Sequence, residues 1–211
     1  MFAINGHTPE EYAAIHIHTE VAPPAPRTEW VSIPLRDGSI NASRILSTLP
    51  FYDTREIVLV MEIMALRGLW PRIRSRVMED LHGQTVQLSI DNSEYYWEGV
   101  AAVGPLEENG ATASITITVT AQPFQRKSSW ITDGTVSVSG SATKTLKTTA
   151  MRSYLGFNAS TTGLGFTYDG IPYTLASGKS TANGFFLPEG THTLTFAGTG
   201  SVDIRHQEAT L

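Results

Sequence analysis

The residues that could do chemistry in this chain are few. Three arginines, Arg72, Arg74 and Arg76, crowd one short segment. His16 and His18 stand two apart; on a strand that spacing puts both imidazoles on one face and can chelate a metal, with His7 as the available third ligand. Asp91, Glu94 and Glu98 bring three carboxyl groups into a short span, the raw material of paired-carboxylate acid–base catalysis. Trp130, Tyr154, Tyr168 and Tyr173 offer aromatic faces on which a sugar ring could stack.

Each cluster also has a plainer account. No motif places His7 beside His16 and His18, so these read as surface histidines of a strand. The three carboxyl groups fall around an expected hairpin tip, where charge serves solubility. Aromatic residues of a small β-sandwich are more often core than platform; a glycan site drawn from Trp130, Tyr154 and Tyr173 is the alternative. Gly163-Leu164-Gly165-Phe166 spells the carboxylate-binding loop of PDZ domains, but that loop needs a following strand and a groove-lining helix. Here Tyr168 and an Asp-Gly turn follow, and a simple glycine turn is expected. No G-x-S-x-G, H-E-x-x-H or G-x-x-x-x-G-K-[ST] pattern occurs. With no cysteine in the chain, disulfides, thiolate metal sites and a cysteine nucleophile are excluded together. The expectation is a protein that is not an enzyme and carries no cofactor or metal.

The three arginines lie on the one segment that reads as a helix, about residues 70–82. Pro71 suits a first helical turn and Gly83 the position just past the end. Trp70, Ile73, Val77 and Leu81 recur at spacings of three and four, and Met78 widens the stripe. At roughly 100° per residue Arg74 falls inside that stripe. Either its stem snorkels past the core edge, or its charge pairs with a carboxylate of a neighbouring subunit. Arg72, Arg74 and Arg76 sit toward the N-terminal half and Glu79 and Asp80 toward the C-terminal half. The helix macrodipole favours the reverse by roughly 0.3–1 kcal/mol per charge. Arg76 and Asp80 can pair within the helix; a solvated face is one outcome, a subunit interface formed by Arg72, Arg74 and Arg76 the other.

Strands account for most of the rest. In Gln84–Asp91, Val86, Leu88 and Ile90 share one face; in Thr112–Thr120, Ile115, Ile117 and Val119 do. Asp91-Asn92-Ser93 marks a hairpin turn. The nearly unbroken apolar run Ile57–Met64 predicts a strand covered on both faces. Further on, Val136 and Val138 alternate with Ser137 and Ser139, Asp169-Gly170 and Glu189-Gly190 mark turns, and Leu194, Phe196, Val202 and Ile204 close the pattern.

Composition divides the chain near residue 128. Residues 1–127 hold 10 Lys/Arg against 15 Asp/Glu and so the whole net charge of −5, whereas residues 128–211 hold 5 of each, with 26 Ser or Thr and 11 Gly. A break this sharp predicts two domains, 1–127 and 128–211. The acid excess argues against a surface that grips nucleic acid. No apolar run is long enough to span a bilayer, so no membrane association is expected. Neither a basic n-region nor an apolar h-region opens the chain. Synthesis in a reducing cytoplasm is therefore expected, and the Asn-Ala-Ser sequons at Asn41 and Asn158 carry little weight.

The order of these elements resembles a known family. Ile33-Pro34-Leu35-Arg36-Asp37-Gly38-Ser39-Ile40 precedes the long apolar strand; the helix follows, then Leu81-His82-Gly83-Gln84. The strand into Asp91-Asn92 and Tyr95-Tyr96-Trp97-Glu98-Gly99 comes next, and Ile115–Val119 closes on Ala121-Gln122-Pro123-Phe124. This sequence of motifs resembles the N-terminal domain of the distal tail proteins of long-tailed phages. The half that ends Gly198-Thr199-Gly200-Ser201-Val202-Asp203-Ile204 is similar to their galectin-like β-sandwich. The family often has glycine where Leu35 stands, and there is no room here for the inserted carbohydrate-binding modules of its larger members. The resemblance implies a mainly β fold: an N-terminal β-sandwich or ring domain with one α-helix, then a galectin-like β-sandwich. It implies a homo-hexameric hub at the virion's tail tip, with the second domains projecting outward. Such a hub joins the tail tube protein to the tip protein, in many phages anchors a receptor-binding protein, and lets DNA pass without specific binding. The alternative function, from a different class, is a carbohydrate-binding β-sandwich protein that contacts the host surface.

Overall fold

The structure, a computed structural model, describes residues 1–35, 37–43 and 49–211, and for residues 182–184 the backbone only. The chain divides into two compact units, Met1–Pro123 and Phe124–Leu211. The division falls a few residues before the compositional break, because Gln125 and Arg126 pair with Thr210 and Ala209 and so belong to the second unit's sheet.

The strands of the first unit are Phe2–Ile4 (β1), Ala14–Val21 (β2), Trp30–Ser32 (β3), Ser39–Asn41 (β4), Arg55–Ile63 (β5), Thr85–Ile90 (β6), Tyr95–Asn109 (β7) and Thr112–Ala121 (β8); Trp70–Leu81 (α1) is the predicted helix. Antiparallel pairing runs in the order β1-β6-β7-β8-β5-β2. The alternation read from sequence sets the buried face: Val86 and Leu88, Ile115, Ile117 and Val119, and Ile57, Leu59, Met61 and Ile63 meet Trp70, Val77 and Leu81 of α1. The turn between β6 and β7 has positive φ at Asp91 and Asn92, 55° and 53°, the left-handed conformation that primed hairpin turns use. Pro71 stands in the first turn of α1. Past its last turn Gly83 has φ 75° and donates to Ala101 O at 2.8 Å, while His82 Nδ1 accepts the Val103 N–H at 3.0 Å. The helix end is thereby pinned to β7.

Two expectations are corrected here. Strand β5 buries one face only: Val58, Val60 and Glu62 are half-buried, so an unbroken apolar run here marks a partly covered second face, not a second core. In β2 a bulge falls between His16 and His18, which pair with the adjacent residues Met61 and Val60. One extra residue turns the two imidazoles to opposite faces. His16 lies edge-on to Phe2 and bonds Thr19 Oγ1 at 2.8 Å, and His7 pairs with Glu11 at 2.7 Å. Among the described residues no group of three metal-ligating side chains exists.

The second unit comprises Gln125–Lys127 (β9), Ile131–Thr148 (β10), Arg152–Ala159 (β11), Gly165–Tyr168 (β12), Ile171–Thr174 (β13), Gly178–Leu187 (β14) and Gly190–Thr210 (β15). Strand β10 pairs with β15 along nearly its whole length. The other edge of β15 takes β12 at Thr195–Ala197 and β11 at Val202–Ala209. Between these two stretches stand Gly198 and Gly200, with φ 120° and 145°. A Cβ on Gly198 would meet Gly163 O at 2.9 Å, so glycine is required where β15 passes from one partner to the next. The apolar residues of the alternation, Val136, Val138, Leu155, Phe157, Leu194, Phe196, Val202 and Ile204, form one core. Asp169 and Gly170 make the β12–β13 turn with φ 48° and 79°.

Gly99 gives a direct test of the first unit's packing. A Cβ there would lie 2.5 Å from Thr120 O and 2.7 Å from Ala121 Cα, backbone atoms that cannot swing aside. Gly99→Ala should destabilise this unit by about 1–3 kcal/mol. Gly104→Ala, whose nearest contact is a single carbonyl oxygen at 3.1 Å, should cost less. Urea unfolding of the two variants measures the difference.

Candidate assembly surfaces

The helix arginines differ in their surroundings. Arg76 is held within its own chain: it lies 3.9 Å from Asp80, donates to Glu11 O at 3.3 Å and stacks 5.4 Å above the Tyr12 ring. Burial first, then the neighbouring Asp80 charge, pushes the Tyr12 phenol up to about 12. Arg72 is exposed and Arg74 half-buried, and among the described residues neither meets a carboxylate. Arg74 Nε is closed to solvent with no hydrogen-bond partner, a state that costs about 1–3 kcal/mol for a buried donor.

A second surface lies between β2 and β5, where sequence analysis had marked no site. Hydrogen bonds between Ala25 and Asp53 and between Arg27 and Phe51, at 2.8 Å each, carry the chain outward, and an Arg27–Asp53 ion pair braces the same stretch. Beyond it, among the described residues, β3 and β4 pair only with each other. This arm presents Trp30, Val31, Ile33 and Leu35, which are 63%, 43%, 41% and 108% exposed. Leu35 has φ 65°. A left-handed backbone costs a branched residue roughly 1–2 kcal/mol.

The aromatic residues considered for sugar stacking do not form one platform. Tyr173 lies parallel to Phe166, with ring centroids 4.8 Å apart, and against Phe185, so it is claimed by the core. Tyr168 likewise packs on Phe185, and its hydroxyl meets His192 Nδ1 at 2.9 Å. Trp130 and Tyr154 instead lie over the outer face of β11. Arg205 sits 4.4 Å from the Trp130 ring centre and Arg126 4.6 Å from that of Tyr154. Arg152 is clasped between Phe124 and Phe186, 4.0 and 4.1 Å from their centres. The Gly163–Phe166 motif forms the expected glycine turn, with Gly163 at φ 85° and Gly165 entering β12. Of the three hairpin carboxylates, Asp91 accepts from the Met1 ammonium at 2.6 Å.

Buried polar contacts fasten the segment after Pro123 to β15. Gln207 Nε2 donates to Lys127 O at 2.7 Å, and His206 Nδ1 lies 2.8 Å from Asp133 Oδ2. Glu208 accepts from Thr149 Oγ1 at 2.9 Å and Lys127 Nζ at 3.3 Å. Burial pushes the Glu208 carboxyl up, but these two hydrogen bonds and the Lys127 charge outweigh it and hold the group below its ordinary value.

No protein-family model and no curated protein matches the chain. Among solved structures it is similar to the Dit protein of phage SPP1, described as a paradigm of the hub adsorption apparatus in phages that infect Gram-positive bacteria. The two share 16% identity over 100% of each chain, with a TM-score of 0.66. Chains of the phage P2 baseplate in its activated conformation, with Ca and with Sr, align at 8% and 7% identity over 93% of this chain and 90% of theirs, with TM-scores of 0.42 and 0.40. The chain has the mainly β fold of the SPP1 protein.

Because the folded state depresses Glu208, its contribution is present above the unfolded carboxyl value and is lost as pH falls through the lower, folded one. Thermal unfolding of the second unit, followed from about pH 6 to about pH 3, should show a falling midpoint below the ordinary glutamate value of about 4.3. Glu208→Gln should start lower and flatten part of that fall; an unchanged profile would assign the acid sensitivity elsewhere.

Proposed function

We propose that this chain is a structural subunit of a phage tail tip whose mechanism is assembly. Six copies close into a ring that joins the tail tube to the tip protein, anchors host-recognition proteins and lets DNA pass through unbound. The observation that carries this reading is the end-to-end likeness to the SPP1 Dit protein, which covers both chains in full. Fold by itself does not dictate function, and surface features add independent support. A closed ring needs two different, complementary patches on each copy. The arm offers an apolar patch that a lone monomer would leave in water, and α1 offers Arg72 and Arg74, cations that meet no carboxylate among the described residues. In this reading the arm of one copy lies on the body of the next, and Arg74 meets a carboxylate of the neighbouring subunit. The unit Met1–Pro123 carries 8 Lys/Arg against 15 Asp/Glu, in keeping with a lumen past which phosphates slide. No helix is long and apolar enough to cross a membrane, and the proposed location is the virion tail tip.

Native mass spectrometry over a concentration series, with negative-stain images of any assembled peak, tests the ring. The expected result is six times the subunit mass of 22.9 kDa, as single or stacked rings. Trp30→Asp with Leu35→Asp should raise the concentration needed for assembly by about tenfold or more and leave the unfolding midpoint of the monomer in place. Rings that persist after Arg74→Glu with Arg76→Glu would remove α1 from the contact. A strict monomer at every concentration, also when mixed with the tube and tip proteins, would overturn the hub.

A further inference from the structure

Strand β10 leaves one of its two sides open: among the described residues it pairs with β15 only. The N–H and C=O groups of the other side meet no ladder partner, and such an edge is a template on which a further strand can add. The middle of β10 is well suited to that. The stretch Gly134–Thr143 holds no proline and no charged residue, and within it Val136 and Val138 alternate with Thr135, Ser137 and Ser139. High β-propensity without charge or proline is the composition of segments that pair with their own kind.

Beyond this stretch one residue breaks the pattern. Even-numbered positions of β10 face inward: Val136, Val138 and Leu146 lie in the core and Ala142 packs against it. Lys144 has the same parity and is half-buried, whereas Thr143 and Thr145 on either side are exposed. The course of the strand shows where its charge goes. Gly140, with φ 83°, stands opposite Gly198, with φ 120°, and there the β10–β15 ribbon folds back. Ten residues of straight strand would span about 33 Å, yet Lys144 Nζ lies 3.8 Å from the point that a Cβ on Gly134 would occupy. The ammonium therefore reaches from one half of the folded ribbon to the other. Since β10 is the outermost strand of both halves, it crosses the open side of the core. Among the described residues no carboxylate pairs with it.

We propose that Lys144 guards this edge and keeps the free side of β10 from pairing with the same strand of a second copy. A strand added beside β10 would set its inward side chains against Lys144 and shut the ammonium away from water. A cation buried without a partner is among the costliest groups that a β interface can hold. An identical strand cannot supply the missing charge, because its inward positions from Val136 to Thr148 include no acidic residue. Asp133, at the bulge, is already engaged with His206. Lys147 has no such effect: it is exposed on the outward face and stays in water when a strand adds. The proposal is independent of ring assembly, which rests on the first unit.

Sedimentation velocity of the full chain over a concentration series, with amide hydrogen exchange, tests it. Lys144→Val should associate beyond whatever assembly the unsubstituted chain forms, at a concentration lower by about tenfold or more. Amides between Thr135 and Thr143 that exchange fast in the unsubstituted chain should become protected as this association sets in. Lys144→Thr, which removes the charge with less apolar bulk, should do the same and reads the proposal should Lys144→Val not fold. Lys144→Arg keeps the cation and Lys147→Val removes an outward one; both should behave as the unsubstituted chain. Neutral variants of Lys144 that associate no further would overturn the proposal. So would equal association of Lys147→Val or Lys144→Arg, which would make net charge or a lost packing contact the cause. Association without protection at 135–143 would place the contact elsewhere and overturn it equally.

Discussion

The second unit depends on one pairing, the register of β10 against β15. It holds without a break from Gly134 opposite Ile204 to Thr148 opposite Gly190, and it decides which side chains face inward. With side chains alternating across a strand, a slip of β10 by one residue would send Val136 and Val138 outward and bring Thr135 and Ser137 into the core. That energetic penalty, the exposure of one apolar set plus the burial of unsatisfied polar groups, locks the ribbon. Once β15 is locked, its free edge takes β12 on one side of Gly198 and Gly200 and β11 on the other. The same register sets Lys144 at an inward position between Ala142 and Leu146. Core and open edge are two consequences of one alignment.

The first unit shows the opposite situation at one place. Its sheet and helix are mutually satisfied: α1 fills the buried face with Trp70, Val77 and Leu81, and its end is tied to β7 through His82 and Gly83. The arm has no such closure. A two-stranded ribbon is marginal in water by itself, and this one carries Trp30, Val31, Ile33 and Leu35 into solvent. Leu35 adds a left-handed backbone to an exposed apolar side chain, a combination with nothing to recommend it in an isolated chain. Both costs are offset if the arm is covered by another copy.

Much of this fold was legible in the sequence, and the reasons follow from spacing. Alternation of period two marked β8 through Ile115, Ile117 and Val119 and β10 through Val136 and Val138; the stripe from Trp70 to Leu81 marked α1, with Pro71 and Gly83 as its brackets. These signals are local, and burial of one face follows from them. What stayed hidden was nonlocal. The bulge that separates His16 from His18 depends on how β2 meets β5. The half-covered face of β5 depends on what lies above it. Lys144 nears Gly134 only where the ribbon folds back at Gly140, and Trp130 finds Gly156 only after folding. Arg74 was legible as an anomaly in an apolar stripe, because a charge there conflicts with the pattern. The arm was hidden for the simplest reason: Trp30, Val31 and Ile33 read like any strand, and sequence holds no record of whether a strand is covered.

In the proposed ring, charge would tie the two halves of the contact together. The unit Met1–Pro123 has 8 Lys/Arg against 15 Asp/Glu, whereas Phe124–Leu211 has 7 against 5. Within the acidic unit several cations are already engaged, Arg27 with Asp53, Arg67 with Glu108 and Arg76 with Asp80. Among the described residues Arg72 and Arg74 meet no carboxylate, and they occupy the helix end where the macrodipole opposes them. A cation held against the dipole, with no partner among the described residues, gains most from an acidic surface brought to it. The most abundant acidic surface available to one copy is the first unit of another. In the proposed ring, identical copies would be complementary without being symmetric about the contact, each lending arginines to one neighbour and carboxylates to the next, and that is the condition under which subunits close into a ring instead of stopping at a pair.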